Sequence, residues 1–401
     1  MNGNTEQSSH VINEIRTRIT EKGKISFSEF MEVALYLPGY GYYCSDEKQP
    51  YREDYYTSPS VSPVFGACIA IQLRQMWMLL DRPKEIAVVE IGSGNGVLSR
   101  DITNAAGKLD IEFADSLKYF STDIRDEVPT QITGCVISNE LLDAFPVARF
   151  KILDGEIHEV FVALDDNENI VEITERSSNS LINEYLNSLE TPLADGQKGE
   201  FNTGIDNWMA RVSDILKEGF IITIDYGSYK DDLYSKSNFK GSLQTYYKHV
   251  YGLSPYQKIG QQDLTAKVDF SRVIESGAKN GIFNIGLIDQ AEFLQNTGIV
   301  QMQNHLRNIS LNINEKQENL HSIDMLCRPE NLGGFKVLIQ SKQQTDLSLE
   351  KLWPSIDELE SFAKYTPLKN NDHIKILSNK YSNSYIEIDD LFEGFTETSN
   401  Q

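Results

Sequence analysis

The stretch "VVEIGSGNG", Val88 to Gly96, constrains the fold of this chain most. An apolar run that meets three alternate glycines and then the helical pattern "VLSRDITNAAG" is a buried strand turning directly into a helix. Glycine at positions 92, 94 and 96 lets the backbone turn tightly and leaves no Cβ between its amides and a ligand. A dinucleotide-binding turn has the form G-x-G-x-x-G, and its third glycine position is here Val97, which disfavours NAD. G-x-G-x-G after an acid, Glu90, suits S-adenosylmethionine (SAM) instead. The glycines, with Ser93 between them, approach the methionine portion, while acidic groups bind the amine and the ribose hydroxyls. Taken alone, the turn leaves open a purely structural strand-to-helix connection.

Three further runs, "LKYFSTD", "GCVISNE" and "FIITIDYG", are apolar and end in acid or amide residues. Strands of this kind present their polar C-terminal ends to the ligand crevice of a doubly wound parallel α/β sheet. Asp123 closes the first run, where a carboxylate can accept both ribose hydroxyl hydrogens; a helix N-cap and a ribose role for Asp115 are the alternatives. Around the sheet, residues 1–84 read as a helical segment with an aromatic lid loop and 85–342 as the core, carrying an inserted β/α subdomain at about 150–210. Residues 343–401 form a C-terminal extension of unknown role.

Charge and cysteine usage narrow the function. With 37 Lys and Arg against 59 Asp and Glu, the net charge of −22 repels phosphate backbones, excludes a general nucleic-acid binder and favours basic partners, unless it serves solubility alone. The 4 cysteines are scattered, so neither a metal site nor a disulfide framework is expected. No apolar run reaches the roughly 20 residues of a membrane span. The start "MNGNTEQSSHVINEIRTRI" lacks the pattern of a signal or transit peptide, and a cytoplasmic location is expected from it.

Candidate chemistry lies in "NELLDAFP": Asn139 can accept through its amide oxygen, and Glu140 and Asp143 can pair with a cation. The first turn of a helix would use the same acids for its dipole. Asp225-Tyr226-Gly227 is a second pocket edge or an ordinary turn, and His249 an acid–base candidate or a packed ring. "QQDLTAKVDF" adds Gln262, Asp263, Thr265 and Asp269 as a structural or cleft loop, with Asp263 foremost. Tyr42 and Tyr43 either close over a substrate or pack.

The segments "ISFSEFMEVALYLPGYGYY", "YYTSPSVSPVFG", "VVEIGSGNG", "ISNELLDAFPV", "TIDYG", "GSLQTYYKHV", "GQQDLTAKVDF" and "LGGFKVL", in this order, resemble the MidA-like SAM-dependent methyltransferases, whose mitochondrial members are complex I assembly factors. The resemblance implies a class I methyltransferase sheet, SAM as cofactor, and symmetric dimethylation of an arginine on a respiratory complex I subunit. It places Thr57, Ser58, Pro59, Glu90, Gly92, Gly94 and Asp123 beside the cofactor, and Asn139, Glu140 and Asp143 toward the transferred methyl. The chain departs from the family at Glu53, at Ser60, at Ile259-Gly260 and in a short stretch between Asp123 and Gly134, as if a helix and strand were trimmed. A small-molecule or peptide acceptor, a non-catalytic assembly role and a homodimer remain open.

Overall fold

The computed structural model describes residues 3–45, 56–247 and 250–374. Glu53, the rest of residues 46–55 and the candidate His249 lie outside the described residues, as does the chain from position 375. The chain divides into two compact units, each made of separate stretches.

The larger unit comprises Thr57–Leu141, Met209–Tyr226 and Gly277–Gln401. Its 6-stranded sheet contains β1 (Ile86–Ile91), β2 (Leu117–Thr122), β3 (Ile132–Asn139), β4 (Leu216–Asp225), β5 (Ile282–Asp289) and β6 (Lys336–Lys342), in the spatial order β5-β6-β4-β3-β1-β2. Strands β2, β1, β3 and β4 are parallel, and β6 runs antiparallel to both of its neighbours. Every residue of β1 is buried, which explains why it reads as an unbroken apolar run rather than an alternating one. The edge strand β2 alternates with partial exposure.

β2 passes to β3 through residues 123–131, which contain turns and no helix. The short stretch noted in the sequence is therefore a bare loop. Arg211 donates through Nη2 to the Asp126 carbonyl at 2.8 Å and also bonds the Ile124 carbonyl, which ties the loop down.

Helices α1 (Ser58–Val61), α2 (Pro63–Leu79), α3 (Val97–Leu109), α4 (Gln290–Asn296) and α5 (Ile313–Cys327) belong to this unit. α2 starts where the Ser62 side chain caps and Pro63 enters the first turn, where its missing N–H costs nothing. The sequence pattern predicts an amphipathic helix from about Phe65 to Leu80; α2 is instead buried almost all round. Its residues share one core with α3, β3, β4 and the C-terminal helices, including Phe65, Trp77, Ile137, Phe220, Phe293 and Leu326. Burying each such side chain contributes about 1.5–3 kcal/mol.

The smaller unit comprises Met1–Tyr56, Leu142–Trp208 and Gly227–Ser276. It holds a 5-stranded sheet in which Glu156–Leu164 pairs antiparallel with Val147–Leu153, Ile170–Arg176 and Ile25–Ser26, and Val147–Leu153 pairs with Lys198–Asn202. Helices Gly3–Lys22 and Phe27–Tyr36 bury Val11, Ile15, Phe27 and Phe30 beside Val147 and Val162 of that sheet. The alternating run expected as an inserted hairpin is this sheet, and the helical run after it is Ser180–Asn187, capped by Asn179.

Candidate active site

β1 ends at Ile91, and the glycine turn follows. The amides of Gly92 and Ser93 both donate to the Thr122 carbonyl, at 2.9 and 3.1 Å, so the end of neighbouring β2 fixes the turn. Gly92, Gly94 and Gly96 have φ of +80°, +53° and +70°, the left-handed region where a Cβ is strained. A Cβ on Gly94 would meet nothing within 4 Å, so its backbone borders open space, whereas one on Gly92 would lie 2.9 Å from Leu141 Cδ1. The turn thus offers an accessible backbone surface at the strand end, as a ligand cradle requires.

Glu90 is buried, with the Tyr119 hydroxyl donating to its Oε2 at 3.1 Å. Burial pushes its carboxyl up to about 7, only partly offset by the Tyr119 hydrogen bond. Among the described residues no cation pairs with it. Asp123 follows directly on β2, exposed, beside the glycine turn through the register Ile91↔Thr122. Its Oδ1 accepts from the Ile124 amide at 2.6 Å, and no helix follows for it to cap. Asp115 sits in the helix Ile111–Ser116 that precedes β2, at the opposite end of that strand.

β3 delivers Asn139 and Glu140. Glu140 has φ +51°, a left-handed conformation rare outside glycine, held by its amide donating to the Ile224 carbonyl at 2.8 Å. Its Oε1 accepts from Asn139 Nδ2 at 3.0 Å and from the Ser58 amide at 3.3 Å. Asn139 Oδ1 is buried with no hydrogen-bond partner. Asp225, at the end of β4, accepts from the Leu141 amide at 3.2 Å and the Tyr226 amide at 2.9 Å. The segment after Glu140 is a turn, so a helix dipole does not account for its acids.

Thr57, Ser58 and Pro59 form the start of α1. The Ser60 hydroxyl accepts from the Thr57 amide at 3.0 Å and donates to the Thr57 carbonyl at 2.8 Å, so serine closes this turn on itself. Ser58 is fully buried, and its hydroxyl donates to Gln290 Oε1 at 2.9 Å, with Gln290 Nε2 donating in turn to the Leu326 carbonyl at 3.3 Å. Gln290 and Tyr119 escaped the sequence reading. Gln290 has no motif and lies far along the chain, whereas Tyr119 is signalled only by its place on the strand beside Glu90.

The remaining candidates belong to the smaller unit. Asp143 is buried, and its carbonyl accepts from the Ala266 amide at 2.9 Å, while the next carbonyl, of Ala144, accepts from the Tyr36 hydroxyl at 2.8 Å. Tyr43 stacks on Tyr36 and donates its hydroxyl to the buried Asp263 carboxylate at 2.8 Å, and Tyr42 packs edge-on against Tyr43. Gln262 Nε2 holds the carbonyls of Ser254 and Pro255 at 2.9 and 3.2 Å. Thr265 is buried in a short strand beside Gln244, and Asp269 accepts from Tyr185 at 2.6 Å and from the Arg272 amide at 3.2 Å.

A family model described as "Putative S-adenosyl-L-methionine-dependent methyltransferase" matches residues 68–128 and 122–288. The chain belongs to this family. It is a SAM-dependent methyltransferase, and SAM is its cofactor. The chain is 25% identical over 377 residues to the mitochondrial protein arginine methyltransferase NDUFAF7 homolog of Drosophila melanogaster, covering 81% of this chain and 83% of the relative. It is also 25% identical over 361 residues to mitochondrial protein arginine methyltransferase NDUFAF7 of Homo sapiens, covering 79% of each. A solved structure of a Burkholderia thailandensis protein bound to S-adenosyl-homocysteine matches with a TM-score of 0.75 at 25% identity, over 88% of this chain and 96% of that one. The class I methyltransferase sheet implied by the family resemblance is thereby established. The cytoplasmic location is corrected: relatives alike over most of their length are mitochondrial by name. Among the described residues no helix is long and apolar enough to cross a membrane.

The residues present suit SAM on their own chemistry. An accessible glycine backbone, a buried acid with no cation beside it among the described residues, and the unpartnered Asn139 Oδ1 lie at the ends of adjacent parallel strands. They match a zwitterionic amino-acid moiety joined to a ribose.

Proposed function

We propose that the protein methylates an arginine side chain of a protein substrate, the reaction named for its relatives. Backbone of Gly92–Gly96 and the turn Thr57–Pro59 hold the methionine portion of SAM, Glu90 its amine and Asp123 its ribose. When bound, SAM supplies an electrophilic methyl on a sulfonium. The chain's own task is then to orient and deprotonate the acceptor. A guanidinium stays protonated below about pH 12, so a carboxylate must grip it and help remove a proton.

The observation that carries this reading is Glu140: its strained backbone is held by the Ile224 carbonyl and its carboxylate by Asn139 and the Ser58 amide. Strain at a strand end persists where function requires a side chain to be aimed. Asp143, three positions on, is proposed as the second acid, and Asp225 holds the Leu141 amide and so the start of the turn between them. Holding the acceptor in line supplies most of the acceleration, since oriented reactants gain roughly 7–11 kcal/mol over a bimolecular encounter. A net charge of −22 favours a basic partner, and a respiratory complex I subunit in the mitochondrion is the partner this reading names.

Incubation with labelled SAM and a mitochondrial extract tests it. Label in a protein band that yields symmetric dimethylarginine on hydrolysis is expected. Label confined to the small-molecule fraction overturns the protein substrate.

A further inference from the structure

We propose that the segment Lys369–Ile374, which follows the helix Ile356–Ala363, is a strap that positions the cofactor side of the site, with His373 as its positioning residue. It rests on SAM lying between the glycine turn and Thr57–Pro59. His373 is almost completely buried, and its Nε2 donates to Asp101 Oδ2 at 3.0 Å. A carboxylate can only accept, so Nε2 carries the hydrogen. Asn370 flanks the other ring nitrogen, its amide 3.3 Å and its Oδ1 2.9 Å away, which fixes the ring plane.

Asp101 lies one turn into α3, the helix that the glycine turn opens. One residue earlier, Arg100 donates to the Asn95 carbonyl inside that turn at 2.9 Å and pairs with Asp372 of the strap at 3.5 Å. One residue after His373, the Ile374 amide donates to the Ser60 carbonyl at 2.9 Å. One short segment therefore bonds both Ser60, next to Thr57–Pro59, and Arg100 and Asp101 of the helix that the glycine turn opens.

The strap is itself anchored. The Lys369 amide donates to Asn319 Oδ1 on α5 at 2.9 Å, and its buried ammonium reaches Glu318 at 3.2 Å and the Ile374 carbonyl at 2.6 Å. Leu368 and Ile374 pack on the main core. Apolar side chains would suffice if the strap only covered α3, because a buried His–Asp pair pays desolvation that packing avoids. What the pair adds is direction: it fixes where α3, and with it the glycine turn, stands relative to α1.

Titration calorimetry with S-adenosylhomocysteine, with hydrogen exchange on the ligand-free protein, tests this in the full chain. His373→Ala is expected to weaken binding at least tenfold and to speed exchange at Ser60, Val61 and the first turn of α3, leaving β3 and β4 unchanged. His373→Gln, which keeps a donor for Asp101, is expected to restore affinity to within about threefold. Ile374→Pro, which removes the donor to Ser60 together with the side chain packed on the core, should speed exchange most in α1. If His373→Ala binds within twofold of wild type, or all three variants weaken binding in proportion to their loss of thermal stability, the strap is only structural and the proposal falls. Exchange reads the strap without ligand. Failure of the wild type to bind therefore refutes the cofactor assignment, while the exchange pattern still decides whether the strap holds α1 and α3.

Discussion

The strand ends of the larger unit and the short strands of the smaller one both carry buried acids, and they employ them differently. At the strand ends, Glu90 has a lone tyrosine donor and no cation among the described residues, Asn139 Oδ1 has no partner, and Gly94 borders open space. In the smaller unit, Asp263 accepts from Tyr43 and the Leu264 amide, Asp269 from Tyr185 and the Arg272 amide, and Glu200 from the Ser242 amide and hydroxyl. A buried polar group costs free energy until it is paired. The second set is satisfied from within the fold, whereas in the first Asn139 Oδ1 has no hydrogen-bond partner, and on the proposed reading SAM completes it. On that proposal the difference separates groups that build the scaffold from groups that bind SAM.

The largest expected effect comes from Gly94→Val. A branched side chain at φ +53° is strained, and it fills the space the turn leaves open. S-adenosylhomocysteine binding should fall beyond detection, more than about 100-fold, while the smaller unit keeps its fold as read by hydrogen exchange. Retained affinity would remove the glycine turn from the site. Next is Asp143→Ala, which asks whether an acid of the smaller unit belongs to the chemistry. Cofactor affinity should be unchanged and turnover reduced by about 10²–10⁴, the usual contribution of a general base. Full turnover would leave Glu140 as the acceptor acid without it.

Glu90→Gln sharpens the same contrast through pH. Burial raises this carboxyl from its usual range to about 7, so the folded state prefers it neutral. Its contribution to ligand-free stability is full below the unfolded value near 4.5 and is lost as pH rises through 7. The glutamine variant should therefore gain on wild type between pH 5 and 8, by up to about 3 kcal/mol in chemical denaturation. Cofactor affinity should move the other way. Wild-type binding strengthens as the carboxylate forms near pH 7, and the variant stays weak and flat. An affinity that ignores pH in both proteins would place the cofactor amine elsewhere.

Sequence made the larger unit legible because its signals are local. An apolar run, an acid and alternate glycines are contiguous in "VVEIGSGNG", and the ends of β3 and β4 carry their polar groups in the same few residues. What stayed hidden depends on distant pairing. Gln290 meets Ser58, and His373 meets Asp101, across more than 200 positions with no motif to mark either. The sequence reading expects an insertion at about 150–210, but nothing in it marks Met1–Tyr56 and Gly227–Ser276 as parts of one unit with that stretch. Nor did periodicity reveal that α2 is covered on all sides, since Gln72 and Gln75 look solvent-facing until the helices around them are known. "NELLDAFP" shows the limit from the other side: its acids suggested a helix start, and the strained Glu140 backbone that makes them a turn leaves no trace in residue type.

Tyr43→Phe is the smallest effect and the closest test of the comparison. It removes one hydroxyl from a buried carboxylate and leaves the ring stacked on Tyr36. If Asp263 is part of the scaffold, the loss is one of stability, about 1–3 kcal/mol for depriving a buried acceptor of one of its donors. S-adenosylhomocysteine affinity should then stay within twofold, as should the rate at saturating substrate. Suppose instead that stability hardly moves while turnover drops tenfold. The hydroxyl would then be holding Asp263 for an acceptor rather than for the fold. Asp263 would join Asp143 as an acid of the smaller unit that serves the acceptor.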